Sequence, residues 1–146
     1  MRDRSLGREA ALIRLYQLDL TRSEDEEPIA LTVPELTLTP AAERFAVELV
    51  HGVRANTETI DTEIRDASEN WELRRMPVID RNILRLAVFE LLFRADIPPK
   101  VSINEAIELG KRYSTERSGA FINGILDHIK NDHQQKAATP APEGAE

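Results

Sequence analysis

Residue types that usually carry chemistry are sparse in this sequence. It contains no cysteine, which excludes thiolate nucleophiles, disulfides and Cys-based zinc or iron–sulfur centres. Its three histidines, His51, His128 and His133, are scattered. His128 and Asp132 stand four apart and so share a helix face, but two ligands without a third do not define a metal site. No phosphate-cradling glycine loop, dinucleotide fingerprint or nucleophile elbow is present. No spacing pairs a serine or a carboxylate with a base. The sequence therefore points away from an enzyme, and it carries no signature of a metal or an organic cofactor.

What remains is the chemistry of binding. Arg4 and Arg8 are four apart, on one face of a helix. With Arg2 and Arg14 they make the N-terminal segment the most basic part of the chain, although Asp3 and Glu9 dilute it. Spacing alone allows a solvated face or a phosphate-binding arm. A second cluster lies in the stretch KRYSTERSG, residues 111–119, where Lys111, Arg112 and Arg117 surround Tyr113. Cations beside a stacking surface suit single-stranded RNA. The same composition also suits a polar turn with Tyr113 packed inward. Overall the chain is acidic, with 19 Lys and Arg against 26 Asp and Glu and a net charge of -7. A general field of that sign repels phosphate, so RNA binding requires a local basic patch or a partner that brings positive charge.

These groups need elements to position them. The chain has 146 residues, enough for one domain with a substantial core. Between Asp80 and Arg94, apolar residues from Ile83 to Phe93 cover nearly the whole circumference of a helix, as expected of a central, buried one. It is too short and too interrupted by Arg81, Arg85 and Glu90 to span a bilayer. With no signal-peptide pattern, a cytoplasmic location and no membrane association are expected. Asp80 falls in the first turn, where its charge suits the helix dipole.

Other elements surround that helix. A first helix from about Ser5 places Leu12, Tyr16 and Leu20 at helical spacing. Residues 21–39, with Pro28, Pro34 and the acidic run Glu24 to Glu27, read as a loop. Thr39 and Pro40 are an N-cap and a first helical residue. The face Phe45, Leu49 and Val53 follows, with Gly52 marking a close approach or a break. Ile60 and Ile64 then extend the pattern to about Trp71. ADIPPK, residues 95–100, ends the central helix, and Ser102 to Glu105 form a capping box. A last helix runs from about Ser118 to Lys130, with Gly124 allowing a neighbour close. Residues 133–146 lack large apolar groups and are expected to be disordered. No strand alternation appears, so the expected fold is all-α, a compact helical bundle of six to seven helices. Residues 1–132 form its single domain, in approximate subdomains 1–75 and 76–132.

The blocks ILRLAVFEL, VSINEAIEL and FINGILD, with the opening GREAALIRLYQLDL and the segment FAVELVHGVRANTETI, resemble the NusB family of bacterial transcription antitermination factors over roughly residues 4–130. The resemblance implies two packed three-helix subdomains and no catalysis. It implies binding of the boxA element of leader and ribosomal RNA transcripts together with a small ribosomal-subunit protein, NusE. That assembly joins RNA polymerase and other Nus factors and suppresses premature termination. Some family members pair with themselves, so a homodimer is a further implied state. Carried onto this sequence, the RNA side falls on Arg4, Arg8 and Tyr16 of the first helix, with Arg2 just outside it, and on Tyr113, Arg117 and Phe121 near the last turn; Lys111 of the basic cluster is added to them as a candidate. The partner side falls on Asp80, with Arg85 and Glu90. At Arg117 the family often has an acidic residue, which would move some RNA-binding charge to this turn. Two alternatives stand beside this: a protein adaptor with little RNA binding of its own, and an RNA-targeting module such as some RNA methyltransferases carry.

Overall fold

The computed structural model describes residues 2–24, 27–68 and 73–138, with 137 and 138 in backbone only. Seven α-helices occur in this described part: α1 (Arg2–Thr21), α2 (Ile29–Thr32), α3 (Pro40–Ala55), α4 (Thr57–Ala67), α5 (Val78–Phe93), α6 (Pro99–Tyr113) and α7 (Glu116–Ala138). A 3-10 turn, Leu73–Arg75, precedes α5. There is no strand among the described residues, and the all-α architecture matches the expectation from sequence.

Helix α5 is the central rod. It packs against α1, α3, α4, α6 and α7, and Ile83, Leu84 and Val88 are wholly buried. The run is not buried to its end: Leu91 and Leu92 are half-buried, and Phe93 is exposed and stacks on Phe89. One continuous apolar core joins α5 to Leu12 and Leu15 of α1, Phe45 and Leu49 of α3, Ile60 and Ile64 of α4, and Ile122, Leu126 and Ile129 of α7. Burying apolar area of this extent is the main term favouring the folded chain.

Two glycines set helix spacing. A Cβ on Gly52 would lie 2.1 Å from Cζ of Phe89, so only a glycine lets α3 accept that ring. A Cβ on Gly7 would lie 2.9 Å from the carbonyl oxygen of Ala42, which is why α1 and α3 can lie so close. Gly124 does not share this role, since among the described residues nothing outside its own stretch of helix stands within 4 Å of where a Cβ would lie.

Several boundaries differ from those read in the sequence, for identifiable reasons. Helix α1 starts at Arg2, and the short α2 interrupts the expected loop 21–39. Thr39 caps α3 as expected, its Oγ1 accepting from the Ala42 amide at 3.1 Å. The capping box at Ser102 does not form. Pro98 holds the N-cap position and Pro99 opens α6, its fixed φ suiting a first helical residue; Ser102 is thereby moved inside the helix. Lys111, Arg112 and Tyr113 belong to the last turn of α6 rather than to a connection. Helix α7 continues to Ala138, so residues 133–138 are helical, not disordered. Trp71, part of the acidic run and residues 139–146 lie outside the described residues.

Candidate nucleic-acid interface

Helix α1 brings its cations to two different environments. Arg2 and Arg4 are exposed, and Arg4 Nη2 pairs with Asp96 Oδ2 at 3.3 Å. Arg8 is 3% exposed and faces inward. Its Nε and Nη2 donate to Glu90 Oε2 and Oε1 at 2.8 and 3.0 Å. Its Nη1 donates to Glu105 Oε1 at 3.3 Å. Ser102 Oγ donates to Glu90 Oε1 at 2.7 Å, and Ser5 Oγ to Glu105 Oε1 at 2.5 Å. The result is a polar seam tying α1 to α5 and α6. A buried carboxylate left without such partners would be costly to the fold. Ser102 and Glu105, read from sequence as a cap, are part of that seam.

The second cluster is joined to the first. The Tyr113 hydroxyl donates to Glu9 Oε1, and Arg112 Nη1 lies 3.4 Å from Glu9 Oε2. Partial burial, then the Glu9 carboxylate, push the Tyr113 phenol above its ordinary pKa, so it stays protonated as a donor. Glu9 of α1 therefore holds the end of α6 against it. Lys111 is exposed and within 3.5 Å of Glu108. Arg117 is exposed in the first turn of α7, and half-buried Phe121 follows one helical turn later. Tyr16 is half-buried on α1. Of the two readings of Tyr113, its hydroxyl takes the inward one, while the cations around it keep solvent access.

The residues expected on a partner surface are mostly internal. Asp80 is 4% exposed and Glu90 is 1% exposed. Asp80 Oδ2 accepts from Ser118 Oγ at 3.0 Å, while its Oδ1 is buried with no hydrogen-bond partner among the described residues. Arg85 is half-buried; it grips Asp61 through Nε and Nη2 at 2.8 and 2.9 Å and reaches Asp19 at 3.1 Å. Asp19 also accepts from Arg81 and Asn82. Burial alone would raise the Asp19 carboxyl, but Asn82, Arg81 and Arg85 together hold it below the usual carboxylate value. In this conformation Asp80, Arg85 and Glu90 brace the bundle rather than present a flat charged face. Sequence reasoning missed Asp19, Asp61 and Glu9. For Asp19 and Asp61 the signal was the charged residues on an otherwise apolar central helix, because buried charges require partners; Glu9, which pairs with α6, had no such signal.

Among the described residues no group of three or more His, Asp or Glu is placed to hold a metal ion, and no helix is long and apolar enough to cross a membrane.

An all-helical binding scaffold, with arginine and aromatic groups gathered where α1 meets the α6–α7 turn, is the class that fold and site define. The family model described as the NusB family matches residues 5–131. The chain is 46% identical over 144 residues to the transcription antitermination protein NusB of Heliobacterium modesticaldum, covering 97% of this chain and 70% of that one. Its fold is similar to T. maritima NusB, with a TM-score of 0.79 and 41% identity over 93% of this chain and 97% of the other. It is also similar to a chain in a crystal structure of the antitermination factors NusB and NusE in complex with dsRNA, with a TM-score of 0.81 and 30% identity over 90% of this chain and 98% of that one. The chain belongs to the NusB family.

Proposed function

We propose that this chain is an RNA-binding transcription antitermination factor that engages boxA RNA together with NusE, and that its work is binding rather than catalysis. The observation that carries this reading is the contact of Glu9 with Tyr113 and Arg112. It brings together two segments that are far apart in the chain and so supports reading them as one site. Arg2, Arg4, Tyr16, Lys111, Tyr113, Arg117 and Phe121 are its proposed RNA-facing groups. Arg8 supports that surface from below. Asp80, Arg85 and Glu90 enter the NusE reading only as internal braces that fix the helices around α5, not as groups that touch the partner. A cytoplasmic location, assembly with RNA polymerase and other Nus factors, self-pairing and the two-subdomain division follow from the family reading and are part of the proposal.

The net charge of -7 suggests a division of labour. An acidic chain attracts a basic ribosomal protein, and the pair then offers RNA the positive charge that the single chain lacks. Carboxylates beside Arg4, Arg8, Lys111 and Arg112 favour this over strong binding by the chain alone. The test is a titration of boxA RNA at several salt concentrations, with and without NusE. Each phosphate contact to a single strand contributes about 0.7 to the log–log salt slope. Tighter binding and a steeper slope for the pair are expected. Equal slopes would remove the division of labour, and failure of the pair to bind at low ionic strength would remove the RNA-binding reading itself.

A further inference from the structure

Three guanidinium groups converge on the ring of Phe45. Arg4, Arg8 and Arg94 place Cζ at 4.9, 5.2 and 5.5 Å from its centroid. Arg8 is committed to the interior, but Arg4 and Arg94 reach the surface beside the start of α1. Between them stands one carboxylate. Asp96 Oδ1 accepts from Arg94 Nε at 2.9 Å, and its Oδ2 accepts from Arg94 Nη2 at 3.0 Å and from Arg4 Nη2 at 3.3 Å. Glu48 Oε1 accepts from the remaining Arg94 nitrogen, Nη1, at 2.9 Å.

The two signs of charge are held differently. The Arg94 side chain is 18% exposed and lies over a ring that is itself buried. Asp96 and Glu48 are more than half exposed, at 51% and 57%. The cations are therefore pre-positioned by stacking, while the anions are free to swing into water. Exposed ion pairs of this kind are weak enough for another anion to displace. A phosphodiester presents the same pair of oxygens that the carboxylate does, and arginine matches both geometries.

We propose that Arg4 and Arg94 over Phe45 form a seat for one backbone phosphate of the RNA, and that Asp96 fills it in the free chain. The proposal rests on the RNA-binding reading above and adds Arg94 as a contact and Asp96 as an internal competitor. Asp96 lowers affinity by the strength of the pairs it must release.

The experiment is a salt-dependent titration of boxA RNA against the full chain with NusE, for wild type, Asp96→Asn and Arg94→Gln, with thermal melts on the same samples. Asp96→Asn is expected to bind about two- to five-fold more tightly, with a steeper salt dependence. Arg94→Gln is expected to bind more weakly and to lose about 0.7 from the slope. Wild-type affinity and slope in both variants would overturn the seat while leaving the RNA-binding reading intact. Binding by neither wild type nor Asp96→Asn would overturn both. Should either variant melt out, Glu48→Gln and Arg4→Gln probe the same seat from its exposed edge, with a gain expected from the first and a loss from the second. No change in either would also overturn it.

Discussion

Arg8 and Glu90 meet in a two-point ion pair, Nε to Oε2 at 2.8 Å and Nη2 to Oε1 at 3.0 Å, with both side chains almost fully withdrawn from water. The pair fastens the first helix to the central one across 82 positions of sequence. Removing one member of such a pair leaves a bare buried charge, which costs about 3–5 kcal/mol. Arg8→Ala is therefore expected to lower the melting temperature by roughly 10 °C in a chain of this size. Arg8→Met combined with Glu90→Leu is expected to lose less than Arg8→Ala alone, because no unpaired charge remains. An unchanged melting point for Arg8→Ala would show that the pair contributes nothing net. Spacing left Arg8 open to a solvated or a phosphate-binding face, and its pairing with Glu90 removes it from both.

The contrast between Arg4 and Arg8 shows where sequence stops being informative. Four residues apart, they share a helix face, and spacing treats them alike. One is exposed and the other is sealed because Gly7 lets α3 press against α1, and because α5 brings Glu90 to that depth. Neither fact is local. By contrast, the central helix was legible from its own composition through Phe89, since a run with so few polar breaks is stable only when buried; its last turn, where Phe93 is exposed, was not. Thr39 and Pro40 were legible for a similar reason: capping is satisfied within one turn. Ser102 misled because its motif was equally local, while the proline pair before it and a buried carboxylate on α5 decided the outcome.

The two glycines at Gly52 and Gly124 are expected to respond oppositely to alanine. At Gly52 the new methyl would collide with the Phe89 ring, whose Cζ, Cε1 and Cε2 stand 2.1, 2.3 and 2.8 Å away. Overpacking of this kind costs about 1–3 kcal/mol. At Gly124 the methyl meets nothing within 4 Å outside its own helix among the described residues, and alanine removes the entropic cost of a glycine in a helix, a gain of roughly 0.5–1 kcal/mol. Urea denaturation of Gly52→Ala and Gly124→Ala checks both signs. A stable Gly52→Ala would mean that Phe89 has another rotamer available.

Among the described residues Asp80 has one of its oxygens satisfied, and Ser118 is the donor. The same hydroxyl lies 2.8 Å from Ser114 Oγ and 3.2 Å from Thr115 Oγ1, so one serine links the start of α5 to the turn before α7. Ser118→Ala strips a buried carboxylate of this bond, at a cost of about 1–3 kcal/mol. It is also expected to loosen the 114–118 turn, seen as faster amide hydrogen exchange there than elsewhere in α7. Uniform exchange across α7 would mean that the turn is held by its backbone alone.

Acid sensitivity follows from Asp19 and Asp96. The Asp19 carboxyl lies below its ordinary value because, against the burial that would raise it, Asn82, Arg81 and Arg85 favour the charged form. The hydrogen bond from Arg94, despite some desolvation, brings the Asp96 carboxyl down to about 2. A carboxylate whose folded pKa is depressed stabilises the fold above the unfolded value, near 3.8 here. That contribution is lost as pH falls through the folded value. Stability is thus expected to hold down to about pH 4 and to decline between there and about pH 2. Asp19→Asn is expected to be less stable than wild type at neutral pH and to lose less on acidification, because Arg81 and Arg85 no longer have that charge to lose. Melting temperatures of the two proteins across this range provide the measurement, and parallel curves would show that Asp19 is not among the groups whose protonation unfastens α1 from α5.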